Sequence, residues 1–217
     1  MWWGLPSSFE FDAIGMLLAG IGGYLLGSIP FGLLFTRMAG LGDIRDIGSG
    51  NIGATNVLRT GNKTLALATL LCDGGKGAVA TLVAGQFLGL VPSAIAACAA
   101  FVGHVYPVWL KFNGGKGVAT YFGILIALLW PAGLLAGVTW IGAALLFRYS
   151  SLAALMAATL APLYFIFFGH IGLAIPAAIC TALIYWRHRP NIERLRAGTE
   201  PRIGAKATPV PAPPVKQ

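Results

Sequence analysis

Long apolar stretches, interrupted by short clusters of Gly, Asn, Ser and basic residues, set the pattern of this chain. Apolar runs over 13 to 36, 64 to 90, 93 to 110, 118 to 129, 132 to 147, 151 to 168 and 171 to 186 each predict a helix. Most reach or approach the roughly 20 residues that a helix needs to cross the hydrocarbon core of a bilayer. The run 118 to 129 is too short for that, and Pro131 cuts it from its successor. It reads as a half-helix ending inside the bundle, which leaves six full spans as the alternative to seven. The expected fold class is all-α: a polytopic integral membrane protein with about seven transmembrane helices.

Basic residues are distributed on one side. When alternate connections are placed on alternate sides, Arg37, Arg45, Arg59, Lys63, Lys111, Lys116, Arg148 and the basic C-terminal segment share one face. The connections near 91, 130 and 169 carry no Lys or Arg. Short basic loops stay inside, so the basic face is expected to be cytoplasmic. Glu10 and Asp12, rather than Lys or Arg, precede the first apolar run, which is not the start of a cleavable signal peptide. An uncleaved first helix with its N-terminus outside is expected. Residues 1–200 form one membrane-embedded unit in this reading. The tail 201–217, with Pro201, Pro209, Pro211, Pro213 and Pro214 and few large apolar residues, is expected to be disordered.

Composition narrows the function. The chain has 217 residues, 57% hydrophobic and only 10% charged, with a mean hydropathy of +0.77. Seven helices of about 20 residues use roughly 140 positions, which leaves functional loops but no separate soluble catalytic domain. The net charge of +8 on such a chain is a topology signal or a means of binding anionic ligands, and no nucleic-acid partner is expected. Cys72, Cys98 and Cys180 lie in apolar stretches without CxxC spacing, so they indicate neither a disulfide framework nor a zinc site. His104, His170 and His188 are far apart in sequence, and no inside segment pairs a carboxylate with a histidine at metal-ligand spacing. Neither a metal nor another cofactor is expected.

Three polar segments carry the candidate chemistry. The first, Gly48-Ser49-Gly50-Asn51-Ile52-Gly53-Ala54-Thr55-Asn56-Val57-Leu58-Arg59, can form an anion nest. Its glycines let N–H groups turn toward a ligand, Ser49, Asn51, Thr55 and Asn56 add neutral donors, and Arg59 can grip phosphate oxygens in a fork. A flexible loop at the membrane surface is the plainer reading. The second segment holds Gly103-His104-Val105-Tyr106-Pro107 and Lys111-Phe112-Asn113-Gly114-Gly115-Lys116-Gly117-Val118-Ala119-Thr120. Glycines and a lysine that lead into a helix N-terminus make a phosphate cradle. The Walker pattern fails, because Gly117 follows Lys116. A similar string, Gly74-Gly75-Lys76-Gly77, follows Asp73, where Asp73 and Lys76 can pair at i, i+3. The third segment runs from Arg187 and His188 through Asn191 to Glu200. Arg189, Arg194 and Arg196 read by default as inside residues gripping anionic lipid.

Together, GSGNIGATNVLR, GHVYP with FNGGKGVAT, and RHRPNIERLRAGTE resemble the three signature segments of the bacterial acyl-phosphate:glycerol-3-phosphate acyltransferases, the PlsY family. The resemblance extends from about Leu26 to Glu200. It implies an inner-membrane enzyme of seven helices with its active site at the cytoplasmic face. Such an enzyme moves a fatty acyl group from acyl phosphate to the 1-hydroxyl of glycerol 3-phosphate, giving 1-acylglycerol 3-phosphate (lysophosphatidic acid) and phosphate, in phospholipid biosynthesis. It further implies Ser49 and Arg59 as the essential pair of the first segment, with Asn51, Thr55 and Asn56 lining it. Lys116 with Gly114, Gly115 and Gly117 corresponds to the phosphate-binding loop, and His188, Asn191 and Glu200 correspond to the third segment.

The expected partners are these two substrates and membrane lipid, with no obligate protein partner. Two phosphates in one pocket call for several cations, a set that Arg59, Lys116 and Arg187 supply, with Lys76 as a fourth candidate. Arg45, beside Asp43 and Asp46, is assigned to loop structure. An acyl phosphate already has a good leaving group, so positioning and charge can suffice. Direct transfer with the proton passing to the departing phosphate is the preferred route. His188 as general base and a Ser49 acyl-enzyme are the alternatives, and the cations flanking His188 weaken it as a base. The rival reading from another class is a transporter or channel for a small phosphorylated solute.

Overall fold

Two helices, α1 (Ala13–Gly27) and α2 (Phe31–Met38), replace the single helix expected over 13 to 36. Pro30 has no N–H to donate, and its ring drives Ile29 out of the helical region, so the helix breaks between them. The break frees the Ile29 carbonyl, which accepts a hydrogen bond from Lys76 Nζ at 2.8 Å. The structure is a computed structural model that describes residues 13–204. Glu10, Asp12 and the expected outside N-terminus, and the proline-rich segment from 205 onward, lie outside the described residues.

A one-turn helix, α3 (Ala54–Val57), lies in the first polar loop. Then come α4 (Lys63–Leu88), α5 (Leu90–Val105), α6 (Val118–Leu128), α7 (Trp130–Phe147), α8 (Ser150–Phe167), α9 (Ile171–Arg187) and α10 (Arg189–Arg196). α5 starts three residues earlier than expected, because Pro92 sits in its first turn, where a missing N–H costs nothing. α10 is bent by 60° from α9 at His188. Pro190 cannot continue α9, since its ring would meet the carbonyl four residues back.

Among the described residues there is no strand. Five stretches among the described residues are long and apolar enough to cross a membrane, and the α9–α10 pair, counted as one bent span, makes a sixth. α6 has 11 residues and spans roughly 16 Å, about half of the hydrocarbon core. It is the expected half-helix. Its Thr120, Tyr121, Gly123, Ile124, Leu125, Ala127 and Leu128 are all buried, enclosed by α4, α5, α7 and α9. A helix wrapped in protein need not reach either lipid surface.

Packing around α6 joins Phe101 of α5, Tyr121 and Leu125 of α6, Phe165 of α8 and Ile184 of α9 in the main core. α1 lies against α5 through small residues: a Cβ at Gly27 would fall 2.1 Å from the Ala100 carbonyl oxygen, and one at Gly23 would fall 2.6 Å from that of Ala96. Close backbone approach of this kind is how helices associate where burial from water cannot drive them together. On the outside, Phe87, Leu145, Leu146 and Phe167 are 75–78% exposed, an apolar surface suited to lipid rather than water. The protein is an all-α, multi-pass integral membrane protein.

Candidate active site

The first polar loop is organised by Asn56, which is buried. Its amide nitrogen is 2.8 Å from each of the carbonyls of Ile44, Ile47 and Asn51, and donates to them. Its Oδ1 accepts from Ser49 N at 3.2 Å, from Ser49 Oγ at 3.4 Å and from Arg59 Nη1 at 3.4 Å. One side chain therefore ties the loop into a closed turn and brings Ser49 and Arg59 together. Gly48 has a φ of +58°, and a Cβ there would lie 2.6 Å from Arg59 Nη1, so the guanidinium lies over a position only glycine can fill. The side chains of Asn51 and Thr55 make no hydrogen bond among the described residues and remain available to a ligand. Outside the loop, Arg45 forks onto Asp43 at 2.9 and 2.6 Å, and Arg37 joins them at 2.8 Å. The Arg45 hydrogen bond holds the Asp43 carboxyl well below the usual carboxylate range, in keeping with a structural role.

The second loop doubles back on the end of α5. Gly114 N donates to the Val105 carbonyl at 3.1 Å and Gly115 N to the His104 carbonyl at 3.0 Å. Gly117, with φ +81°, opens α6, and no side chain caps that helix. Among the described residues the N–H groups of Lys116 through Thr120 have no acceptor, so they form a ready donor set for an anion beside the Lys116 ammonium. The carbonyls of this loop are also held: Arg187 donates from Nη2 to Gly114 O at 2.9 Å and from Nε to Gly115 O at 3.2 Å. Its guanidinium also lies 5.6 Å from the Tyr106 ring centre.

The third segment closes the site. Lys116 Nζ donates to Asn191 Oδ1, and Asn191 Nδ2 donates to Glu200 Oε1 at 2.6 Å. The same Oε1 accepts from Ser151 Oγ at 2.7 Å, and Oε2 accepts from Arg194 Nε at 2.7 Å. The chain beyond Glu200 is tied down too, since Ile203 N donates to the Arg148 carbonyl at 2.7 Å. His188 is buried, with Nδ1 2.8 Å from the Ile184 carbonyl. A carbonyl oxygen can only accept, so Nδ1 carries the proton and Nε2 presents a lone pair.

Electrostatics bind the segments into one site. Burial pushes the Lys116 ammonium down to about 8, outweighing the pull of Glu200, and the charges of Arg194, Arg59 and Arg187 push the same way. Burial likewise lowers His188 to about 4, with Lys116 and Arg187 adding to it against the Ile184 carbonyl and Glu200. Burial raises Glu200, but the hydrogen bonds from Ser151, Asn191 and Arg194, with the Arg194 charge, hold it below its ordinary value. At neutral pH the centre is therefore a carboxylate, a neutral imidazole and several cations.

The structure thus brings Arg59, Lys116, Arg187, His188, Asn191 and Glu200 into one electrostatic neighbourhood, with Ser49 tied beside Arg59 through Asn56. One expectation changes. Lys76 is not a fourth phosphate cation: it is 3% exposed, paired with Asp73 at 2.9 Å and bonded to Ile29. The Gly74–Gly77 string lies inside α4, where Gly74 packs under Gly123 of α6. Arg187, expected among the phosphate cations, holds the loop backbone through the Gly114 and Gly115 carbonyls and keeps its charge at the site. Two residues are added. Ser151, which the sequence does not single out, and Arg194, read as a lipid anchor, both hold Glu200. No local motif marks Ser151, which lies 49 positions from its partner.

In this multi-helix membrane protein Arg59, Lys116, Arg187 and the open N–H groups at the start of α6 form a donor set suited to anionic ligands. The family model for glycerol-3-phosphate acyltransferase matches residues 17–198, and the chain belongs to that family. It is 58% identical over 190 residues to the glycerol-3-phosphate acyltransferase of Maricaulis maris, covering 88% of each chain. It is 56% identical over 194 residues to that of Rhodopseudomonas palustris strain BisB5, covering 89% of this chain and 99% of the relative. Among solved structures it is similar to PlsY (YgiH), an integral membrane glycerol 3-phosphate acyltransferase. In the glycerol 3-phosphate form the TM-score is 0.83 at 38% identity, over 87% of this chain and 96% of that one. The lysophosphatidic acid form gives 0.81 at 37%, over 87% and 95%. Membership in this family decides for an acyltransferase over the transporter reading.

Proposed function

We propose that this protein transfers a fatty acyl group from acyl phosphate to the 1-hydroxyl of glycerol 3-phosphate, releasing lysophosphatidic acid and phosphate, at the cytoplasmic face of a bacterial inner membrane. The observation that carries the reading is the convergence of Arg59, Lys116 and the free N–H groups at the start of α6 with the Asn191–Glu200 pair. Two phosphate-bearing substrates need such a set of donors. In the direct route, the acceptor hydroxyl oxygen bonds to the acyl carbonyl carbon. The bond from that carbon to the phosphate oxygen breaks, and the proton leaves with the phosphate. Ser49 and its N–H neighbours orient the acyl phosphate. His188 Nε2, a lone-pair acceptor of low basicity, orients the hydroxyl rather than removing its proton.

Purified protein supplied with synthetic acyl phosphate and radiolabelled glycerol 3-phosphate, without CoA or added metal, should form labelled lysophosphatidic acid. Turnover only with acyl-CoA or acyl carrier protein would overturn the donor assignment.

A further inference from the structure

Three ionisable side chains outside the phosphate-binding set are buried together inside the bundle. Asp73 and Lys76 of α4 pair at 2.9 Å, and His104 Nδ1 of α5 stands 3.7 Å from the same Asp73 oxygen. All three side chains are at most 3% exposed. Charged groups at this depth are costly, and they are kept where they perform a task.

The geometry points to His104 as a positioning residue for the phosphate loop, packed beside the Asp73–Lys76 pair. Its ring lies directly beneath that loop. A Cβ added at Gly115 would fall 2.1 Å from His104 Nε2, so imidazole and glycine backbone are in van der Waals contact. The His104 and Val105 carbonyls take the N–H groups of Gly115 and Gly114, which fixes the loop from the same helix end. Arg187 holds the opposite side of the loop through the Gly114 and Gly115 carbonyls. The loop is thus clamped between an imidazole below and a guanidinium beside it, and the next residue is Lys116. Anything that lowers or tilts the ring lets Gly115 sink and draws Lys116 away from Asn191. Lys76 also ties this base to the α1–α2 break through Ile29 O at 2.8 Å, so the support rests on three helices rather than one.

This inference rests on the acyltransfer reading for its kinetic arm but not for its binding arm. The test is a cycle of Gly115→Ala, His104→Ala and the double variant, read by steady-state kinetics and by calorimetric binding of inorganic phosphate. Gly115→Ala should weaken phosphate binding and raise KM by about tenfold or more, with a smaller change in kcat, because the new methyl meets the ring. Removing the ring makes room, so the double variant should regain much of what Gly115→Ala loses. His104→Asn keeps a donor near Nδ1 but has nothing at Nε2. It should keep the melting temperature close to wild type while raising KM several-fold.

Losses that simply multiply in the double variant would overturn the proposal. So would a His104→Asn protein with unchanged KM and unchanged phosphate affinity. If wild type shows no turnover with acyl phosphate, the acyltransfer reading fails, while the calorimetric cycle still decides the His104–Gly115 coupling.

Discussion

Lys116 and Asn191 are hydrogen-bonded across 75 positions of sequence, and Glu200 holds the other end of the Asn191 amide. The Lys116 ammonium is therefore aimed by a carboxylate it does not touch. Asn191 passes the orientation along, since its Oδ1 faces Lys116 only while its Nδ2 has an acceptor. Glu200→Gln should consequently behave as a Lys116 defect as well as a stability defect. It removes charge-assisted hydrogen bonds from Ser151, Asn191 and Arg194 that are worth about 1.5–3 kcal/mol each at full strength. The expected result is a lower Tm and a raised KM for glycerol 3-phosphate. The folded-state pKa of Glu200 is depressed, so its stabilising effect is present above the ordinary carboxylate value of about 4.3. It is lost as pH falls through the lower folded value. Melting curves in detergent should show an acid-side decline in wild type that is smaller in Glu200→Gln.

The lowered pKa of Lys116, about 8, should appear in kinetics. kcat/KM reports the free enzyme, so it should fall by about tenfold per pH unit above that value as the ammonium deprotonates. Lys116→Arg keeps its charge across the range and should lack this alkaline limb, though its fork geometry will lower the plateau. A limb that persists unchanged in Lys116→Arg would assign the titration to another group.

Much of this site is written locally in the sequence, and the remainder is not. Apolar run lengths predict the helices, including the short α6, because span length is set by bilayer thickness. The Ser49–Arg59 loop is legible because its glycines and amide side chains form their network within a dozen residues. The break at Pro30 was visible as a residue but not as an event, since whether a proline kinks or ends a membrane helix depends on what satisfies the freed carbonyl. That partner is Lys76, 47 positions away. The likeness of Gly74–Gly77 to Gly114–Gly117 is one of composition only, since one string is helical and carries the expected Asp73–Lys76 pair while the other is a loop, a difference decided by flanking sequence. Ser151 and His104 act through partners distant in the chain or in loops, and Arg194 through Glu200 just beyond the end of α10, so composition alone leaves them unmarked.

Arg187 separates a brace from a phosphate ligand. Its two hydrogen bonds to consecutive loop carbonyls need two nitrogens in one plane. Arg187→Lys should therefore fail to restore activity, with KM raised about tenfold or more as in Arg187→Ala. Full rescue by lysine would return Arg187 to the role of a simple charge for phosphate.

The cytoplasmic assignment is tested by position. Asn113 lies exposed at the tip of the second loop, and a single cysteine there, in a background with Cys72, Cys98 and Cys180 replaced, should react with an impermeant maleimide only after the cytoplasmic side is opened. Labelling from the periplasmic side of intact cells would reverse the topology and the access of both substrates.

His188 decides how the proton moves. Its Nδ1 proton is committed to the Ile184 carbonyl, and burial holds its pKa at about 4, so near pH 7 the ring is neutral and has Nε2 free. Such a ring accepts a hydrogen bond from the acceptor hydroxyl but takes its proton poorly, whereas a phosphate leaving group titrates near 6 and stands beside the same hydroxyl. His188→Gln places an amide oxygen or nitrogen near the Nε2 position and should retain a substantial part of wild-type kcat. His188→Ala loses the acceptor and should fall further, by about tenfold to a hundredfold relative to wild type. Neither wild type nor His188→Gln should show an acidic limb centred near the ordinary imidazole value of about 6.5. A loss of about 10⁴-fold in kcat for His188→Gln with unchanged KM, together with disappearance of an acidic limb present in wild type, would make His188 the general base and end the substrate-assisted route.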